Sequence, residues 1–92
     1  MAHRVWATGV DEPGAINVGT SGEDYVELNP DVETVLDPQG TAVVRYASGS
    51  GSIPEVGPND PALSVNGQLF QGVQFVSLMA ESGTVTVFVS LP

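Results

Sequence analysis

Few side chains in this sequence could do acid–base or nucleophilic work. There is one histidine, His3, and there are two arginines, Arg4 and Arg45. Lysine and cysteine are missing, and eleven residues are Asp or Glu. A Ser–His–Asp relay would have to use His3, which stands at the start of the chain, and no GxSxG setting holds a serine for it. His3 is therefore expected to be structural or incidental. One His without Cys leaves a zinc ion short of its usual ligands, and the lack of Lys removes Schiff-base chemistry and the P-loop lysine. The carboxylates fall in turn-like stretches: Asp11-Glu12, Glu23-Asp24, Asp31 with Glu33, and Asp60 after Asn59. A glycosidase needs two carboxyls facing each other across a groove, and a chain of 92 residues leaves little room for one. Calcium needs six or more oxygens, and no D-x-D-x-D-G order occurs. Asp11, Glu12, Glu23 and Asp24 could share a weak Ca²⁺ site, but turn capping and solubility are the simpler account. The expectation is no enzyme, with no catalytic residue, no cofactor and no resident metal.

The formal charge is −9. A phosphate backbone is held by clustered Lys and Arg that release counterions, so nucleic acid and anionic membranes are poor partners. Only 14% of residues are charged, against roughly 25% in ordinary soluble proteins. The acidity thus comes from missing cations, and interface cores are depleted of charge in the same way. Two accounts stay open: a solvated acidic surface that keeps the chain soluble, or a chain that oligomerises or docks. The first ten residues, MAHRVWATGV, carry no apolar run of signal-peptide length. No stretch approaches the ~20 apolar residues that span a bilayer. A soluble protein made in the cytoplasm is expected.

The elements that must position these residues read as strands. Pro and Gly recur too often for an amphipathic helix, and β-branched residues dominate the apolar set. Extended segments are predicted at residues 3–8, 15–19, 25–28, 32–36, 41–47, 63–65, 68–70, 73–79 and 84–91. A type I turn is expected at the DPQG tetrad, 37–40. A hairpin is expected about Asn66-Gly67, and a second one through AESG between the last two strands. Short strands at close spacing with turn signals between them predict a single all-β domain over residues 1–92. It would be a small antiparallel sandwich or barrel of seven to eight strands, jelly-roll-like.

The last two strands carry the most information. In the final one Val85, Val87, Val89 and Leu91 share a face, and Thr84, Thr86, Phe88 and Ser90 share the other. In the one before, Val73, Phe75 and Met79 face one way and Val76 and Leu78 the other. A strand apolar on both sides has its second face covered, here by a partner subunit or by the chain's own loops. Most aromatics are expected in the core, with Trp6 and Phe88 on the surface. Arg45 is expected to pair with a carboxylate of its own molecule or of a neighbour.

Residues 47–62, ASGSGSIPEVGPNDPA, can neither wind as a helix nor pair as a strand. Long structureless loops in compact domains are usually functional or disordered. Ordering each residue costs about 1–2 kcal/mol, so the segment is predicted to be mobile alone and to order against a partner. Ile53 and Val56, either side of Pro54 and Glu55, are its apolar anchors. The predicted role is a crossover between two sheets that also serves as a docking arm.

The short acidic cysteine-free chain, the all-β pattern and the Gly/Pro/Ser arm together resemble the small decoration (cement) proteins of tailed-bacteriophage heads. The resemblance is one of overall style across the whole chain. It implies a non-enzymatic virion protein that binds the major capsid protein on the outside of an assembled head. Such a protein is often a homotrimer, and it clamps neighbouring subunits against internal pressure. Trp6, Arg45, Ile53, Pro54, Val56, Val76, Leu78 and Phe88 are the expected partner or oligomer contacts. The alternative is a carbohydrate-binding or adhesion β-sandwich that uses exposed aromatics and loop carboxylates.

Overall fold

The computed structural model of the chain describes residues 14–92 and the backbone of 3–6. Eight strands are formed among these residues: β1 (His3–Trp6), β2 (Gly14–Val18), β3 (Asp24–Leu28), β4 (Thr34–Pro38), β5 (Val44–Gly49), β6 (Gln68–Phe70), β7 (Phe75–Ala80) and β8 (Val85–Ser90). They make two four-stranded sheets, ordered β1-β3-β7-β5 and β2-β8-β4-β6. All pairings are antiparallel except that of β1 with β3. Alternate residues of β3 and β4 are buried, as the two-residue period of a strand with one core face requires.

Each strand lies in the opposite sheet from its neighbours in sequence. The pairing is nested: β2 with β8, β3 with β7, β4 with β6, and Arg45 of β5 with Ala62. This is a long hairpin wound over two sheets, the jelly-roll arrangement. Residues 50–61 are the tip of that hairpin. The predicted unpaired segment 47–62 is shorter than expected, because Ala47, Ser48 and Gly49 pair with β7 and Ala62 bridges to Arg45. The all-β sandwich expected from the sequence is thus what the chain forms.

The nesting overturns both predicted hairpins. Ser64 and Gly67 do form a turn, with the Gly67 N–H donating to the Ser64 carbonyl at 3.1 Å. Leu63, however, donates to Val44 in one sheet, while β6 pairs with β4 in the other. Likewise β7 and β8 belong to different sheets, so the AESG turn bridges the sandwich. Turn residues alone do not tell a hairpin from a crossing between sheets. The DPQG turn also starts later than predicted: Asp37 and Pro38 still lie in β4, opposite Phe88 and Val87. Pro38 stands beyond the end of β6, where its missing N–H breaks no ladder bond on that side.

The core lies between the sheets and is aliphatic. Val18, Val26, Leu36, Val76, Leu78, Val87 and Val89 are fully buried in it. Tyr46 and Phe70 close one part edge to face, with ring centroids 5.2 Å apart. The C-terminal strand β8 runs between β2 and β4, so it is interior to its sheet, as its apolar face demands.

Candidate interaction surface

The outer face of the β2-β8-β4-β6 sheet is built by the residues that alternate with the core. Phe88 stands in its centre, with Ala15 of β2 and Asp37 of β4 as cross-strand neighbours. In the next row Val35 lies between Ser90 and Leu69. Phe88 is 46% exposed and Leu69 50%. The turn ending at Gly67 comes in beside Val35: a Cβ on Gly67, whose φ is +101°, would meet Val35 Cγ1 at 3.0 Å. Gly14, Ala15, Val35, Asp37, Phe88, Val89 and Ser90 line a shallow groove of about 490 Å³ on this face. Among the described residues Asp37 is the one charged residue lining it. Beyond Phe88, the Thr86 hydroxyl donates to the Asn17 side-chain carbonyl at 2.9 Å.

The opposite sheet presents a different outer face, because the segment 50–61 lies over it. The Ser77 hydroxyl donates to the Pro54 carbonyl at 2.6 Å, and Gly51 donates to the Gln74 side chain at 2.9 Å. Farther along, Tyr46 donates to Pro61, and the Arg45 guanidinium to the Asp60 carbonyl. Asp60 in turn accepts from the Gly57 N–H at 2.7 Å. The order this segment needs therefore comes from the chain's own sheet, where a partner had been expected to supply it. Beneath and beside it, Tyr25 and Phe75 meet edge to face at 6.2 Å.

The expected contact residues that are described separate into four groups. Phe88 is on the open face, as its strand position predicted. Ile53, Pro54 and Val56 sit on the far side, with Ile53 exposed and the other two half-buried. Arg45 is engaged within the molecule, 3.1 Å from Glu81 and bonded to Asp60. Val76 and Leu78 are corrected: both are fully buried between the sheets, so neither can touch a partner. The second apolar face of β7 belongs to Phe75 and Met79, and the chain's own arm covers it. The Trp6 and His3 side chains, and Asp11 and Glu12 of the suggested Ca²⁺ loop, lie outside the described residues. Asp24 of that loop is buried and accepts from the Gly19 N–H at 2.8 Å, a turn-closing role.

Leu69, Val35 and Val65 were not anticipated on the surface. The signal was present for two of them. Val35-Leu36 and Leu69-Phe70 are apolar doublets inside strands, and a period of two forces one member of each outward. Among the described residues no group of three or more His, Cys, Asp or Glu could hold a metal ion. No family model, no curated protein and no solved structure matches the chain.

Proposed function

We propose that this chain is a non-enzymatic decoration protein that binds the outside of a tailed-phage head and reinforces it. The observation that supports this most is the open face around Phe88, Val35 and Leu69. It is an apolar patch whose groove is lined, among the described residues, by one carboxylate, Asp37, on a chain of net charge −9. Desolvating such a face is cheap, whereas the acidic remainder resists non-specific association. The jelly roll is also a fold that viral capsid and lectin domains share. The partner is the major capsid protein, and the working form on the head is a closed oligomer, a trimer by the resemblance.

The test is co-sedimentation with purified tailed-phage heads, with the heat resistance of the decorated heads as the second readout. Saturable binding that Phe88→Ser weakens supports the assignment; failure of the native chain to bind any head overturns it. Light scattering after size exclusion decides whether the oligomer forms before the head is met.

One feature favours a second reading, a carbohydrate-binding module: the half-exposed Phe88 ring stands beside Asp37 and Ser90 in the groove. In that case Phe88→Ala abolishes glycan binding and leaves the oligomeric state as it was.

A further inference from the structure

The arm over the β1-β3-β7-β5 sheet does more than cover it, because it leaves a second groove at its edge. The groove measures about 400 Å³ and runs between the β2–β3 turn and the arm. Its walls are mostly apolar: Tyr25 on one side, Ile53 and Val56 on the other. Two carboxylates, Glu23 and Glu55, flank these walls. Both are exposed, and neither has an ion-pair partner among the described residues.

The walls are held in place. The Pro54 carbonyl accepts from Ser77, a hydroxyl that is 1% exposed. Gly22, with φ +78°, presses the turn against the arm so closely that a Cβ there would meet the Val56 carbonyl oxygen at 3.1 Å. A groove fixed from both sides does not have to be ordered on binding, which removes one cost of association.

We infer that this groove docks a basic, aliphatic segment of a partner protein, with Lys or Arg side chains reaching Glu23 and Glu55 and the aliphatic parts packing on Ile53, Val56 and Tyr25. Charge complementarity selects that occupant. The chain has no Lys, and Arg45, its one cation among the described side chains, is already bonded to Glu81 and Asp60. A second copy, at net charge −9, would bring a strongly acidic surface against these carboxylates. The long stems of Lys and Arg suit a groove with apolar walls and a charged margin, since they bury their methylenes while the head stays at the rim. The strongly negative field also accelerates encounter with a basic partner. This docking site lies on the other sheet from the Phe88 face, and it does not depend on the phage-head assignment.

The probe is a short peptide alternating leucine with lysine and arginine, titrated into the full chain and followed by amide chemical shifts. A control peptide carries glutamine in place of both cations. The expected result is a set of shifts confined to the turn around Gly22 and Glu23 and to residues 53–56. Binding of the control should be weaker, and Glu23→Gln with Glu55→Gln should weaken the basic peptide by about 5–10-fold. That loss should shrink as salt is raised. Because both carboxylates are exposed, the doubly substituted chain should melt with the native one, so lost binding is not lost fold. Equal binding by that variant, shifts spread over all the acidic turns, shifts centred on Phe88, or no binding would each overturn the inference. Heads bound equally well by the double variant would overturn any role of the groove in attachment and leave the phage-head assignment standing.

Discussion

The Ser77 hydroxyl reaches the Pro54 carbonyl at 2.6 Å across the outer face of β7. Ser77 alternates with Val76 and Leu78, which fill the core, so it points away from the core and is still buried. The arm is what buries it. Removing the hydroxyl leaves the Pro54 carbonyl without this donor, at a cost of about 1–2 kcal/mol. Ser77→Ala should therefore lower the melting temperature by roughly 4–8 °C per kcal/mol in a domain of this size. It should also open residues 50–56 to limited proteolysis. An unchanged melt with an unchanged cleavage pattern would show that other contacts hold the arm.

Removing the arm is the larger perturbation. Replacing residues 50–58 by a short linker uncovers Phe75, Ser77 and Tyr25 together. Returning even one large apolar side chain to water costs about 1.5–3 kcal/mol, so the shortened chain should bind a hydrophobic dye and unfold at lower denaturant. A deletion that began at residue 48 would do worse, since Ser48 and Gly49 pair with Val76 and Phe75. Native stability without dye binding would mean that the sheet does not need this cover.

Two glycines separate backbone strain from steric contact. Gly40 and Gly67 both have positive φ, +76° and +101°. A Cβ at Gly40 meets nothing within 4 Å, whereas at Gly67 it lies 3.0 Å from Val35 Cγ1. Gly40→Ala should cost only the left-handed penalty of about 1–2 kcal/mol. Gly67→Ala should cost more and should shift the amide signals of Val35 and Leu69. Chemical denaturation of the two variants side by side decides it; equal losses would rule out pressure on Val35.

Most of the strands, the inward positions of β8 and the exposure of Phe88 were legible because a period of two is a local property. Residues 63–65, however, form no strand, and Leu91, past the end of β8, is exposed where the same period put it inward. Val85, Val87 and Val89 could be assigned to a core without knowing what lay opposite. What local pattern cannot carry is which strands pair. Asn66-Gly67 makes its turn in either topology, and only the other sheet's claim on β6 shows that no hairpin forms. Val76 and Leu78 failed as contacts for a related reason: β7 is apolar on both faces, and the sequence does not say which face meets the core. The groove at Glu23 and Glu55 was illegible altogether, since it joins a turn and a loop some thirty residues apart.

Arg45 offers a test of how much its charge contributes. Its partner Glu81 is 58% exposed, so solvent screens the pair. Its second bond, 2.8 Å to the Asp60 carbonyl, ties the end of the arm to β5. Arg45→Gln should lower stability by no more than about 1 kcal/mol. The loss should be smaller at high salt, and proteolysis near Asp60 should rise at any salt. A large loss insensitive to salt would make the Asp60 bond, and not the ion pair, the principal contribution.

Phe88 and Leu78 give the sharpest contrast between a surface residue and a core residue in this fold. Both lie on interior strands and both are large and apolar, yet Leu78 is fully buried and Phe88 is 46% exposed. Leu78→Ala empties a core site and should cost about 2–5 kcal/mol. Phe88→Ser gives up only the part of the ring that packs on its neighbours, about 1 kcal/mol. Association should follow the opposite order. A ring kept half in water beside Val35 and Leu69 contributes most when a partner covers it, and buried aromatics dominate interface energies. Phe88→Ser should therefore reduce the associated mass in light scattering, or attachment to heads, while the melting curve barely moves. If instead Phe88→Ser unfolds the chain, the ring serves the fold. If it changes neither stability nor association, the open face is not a contact surface.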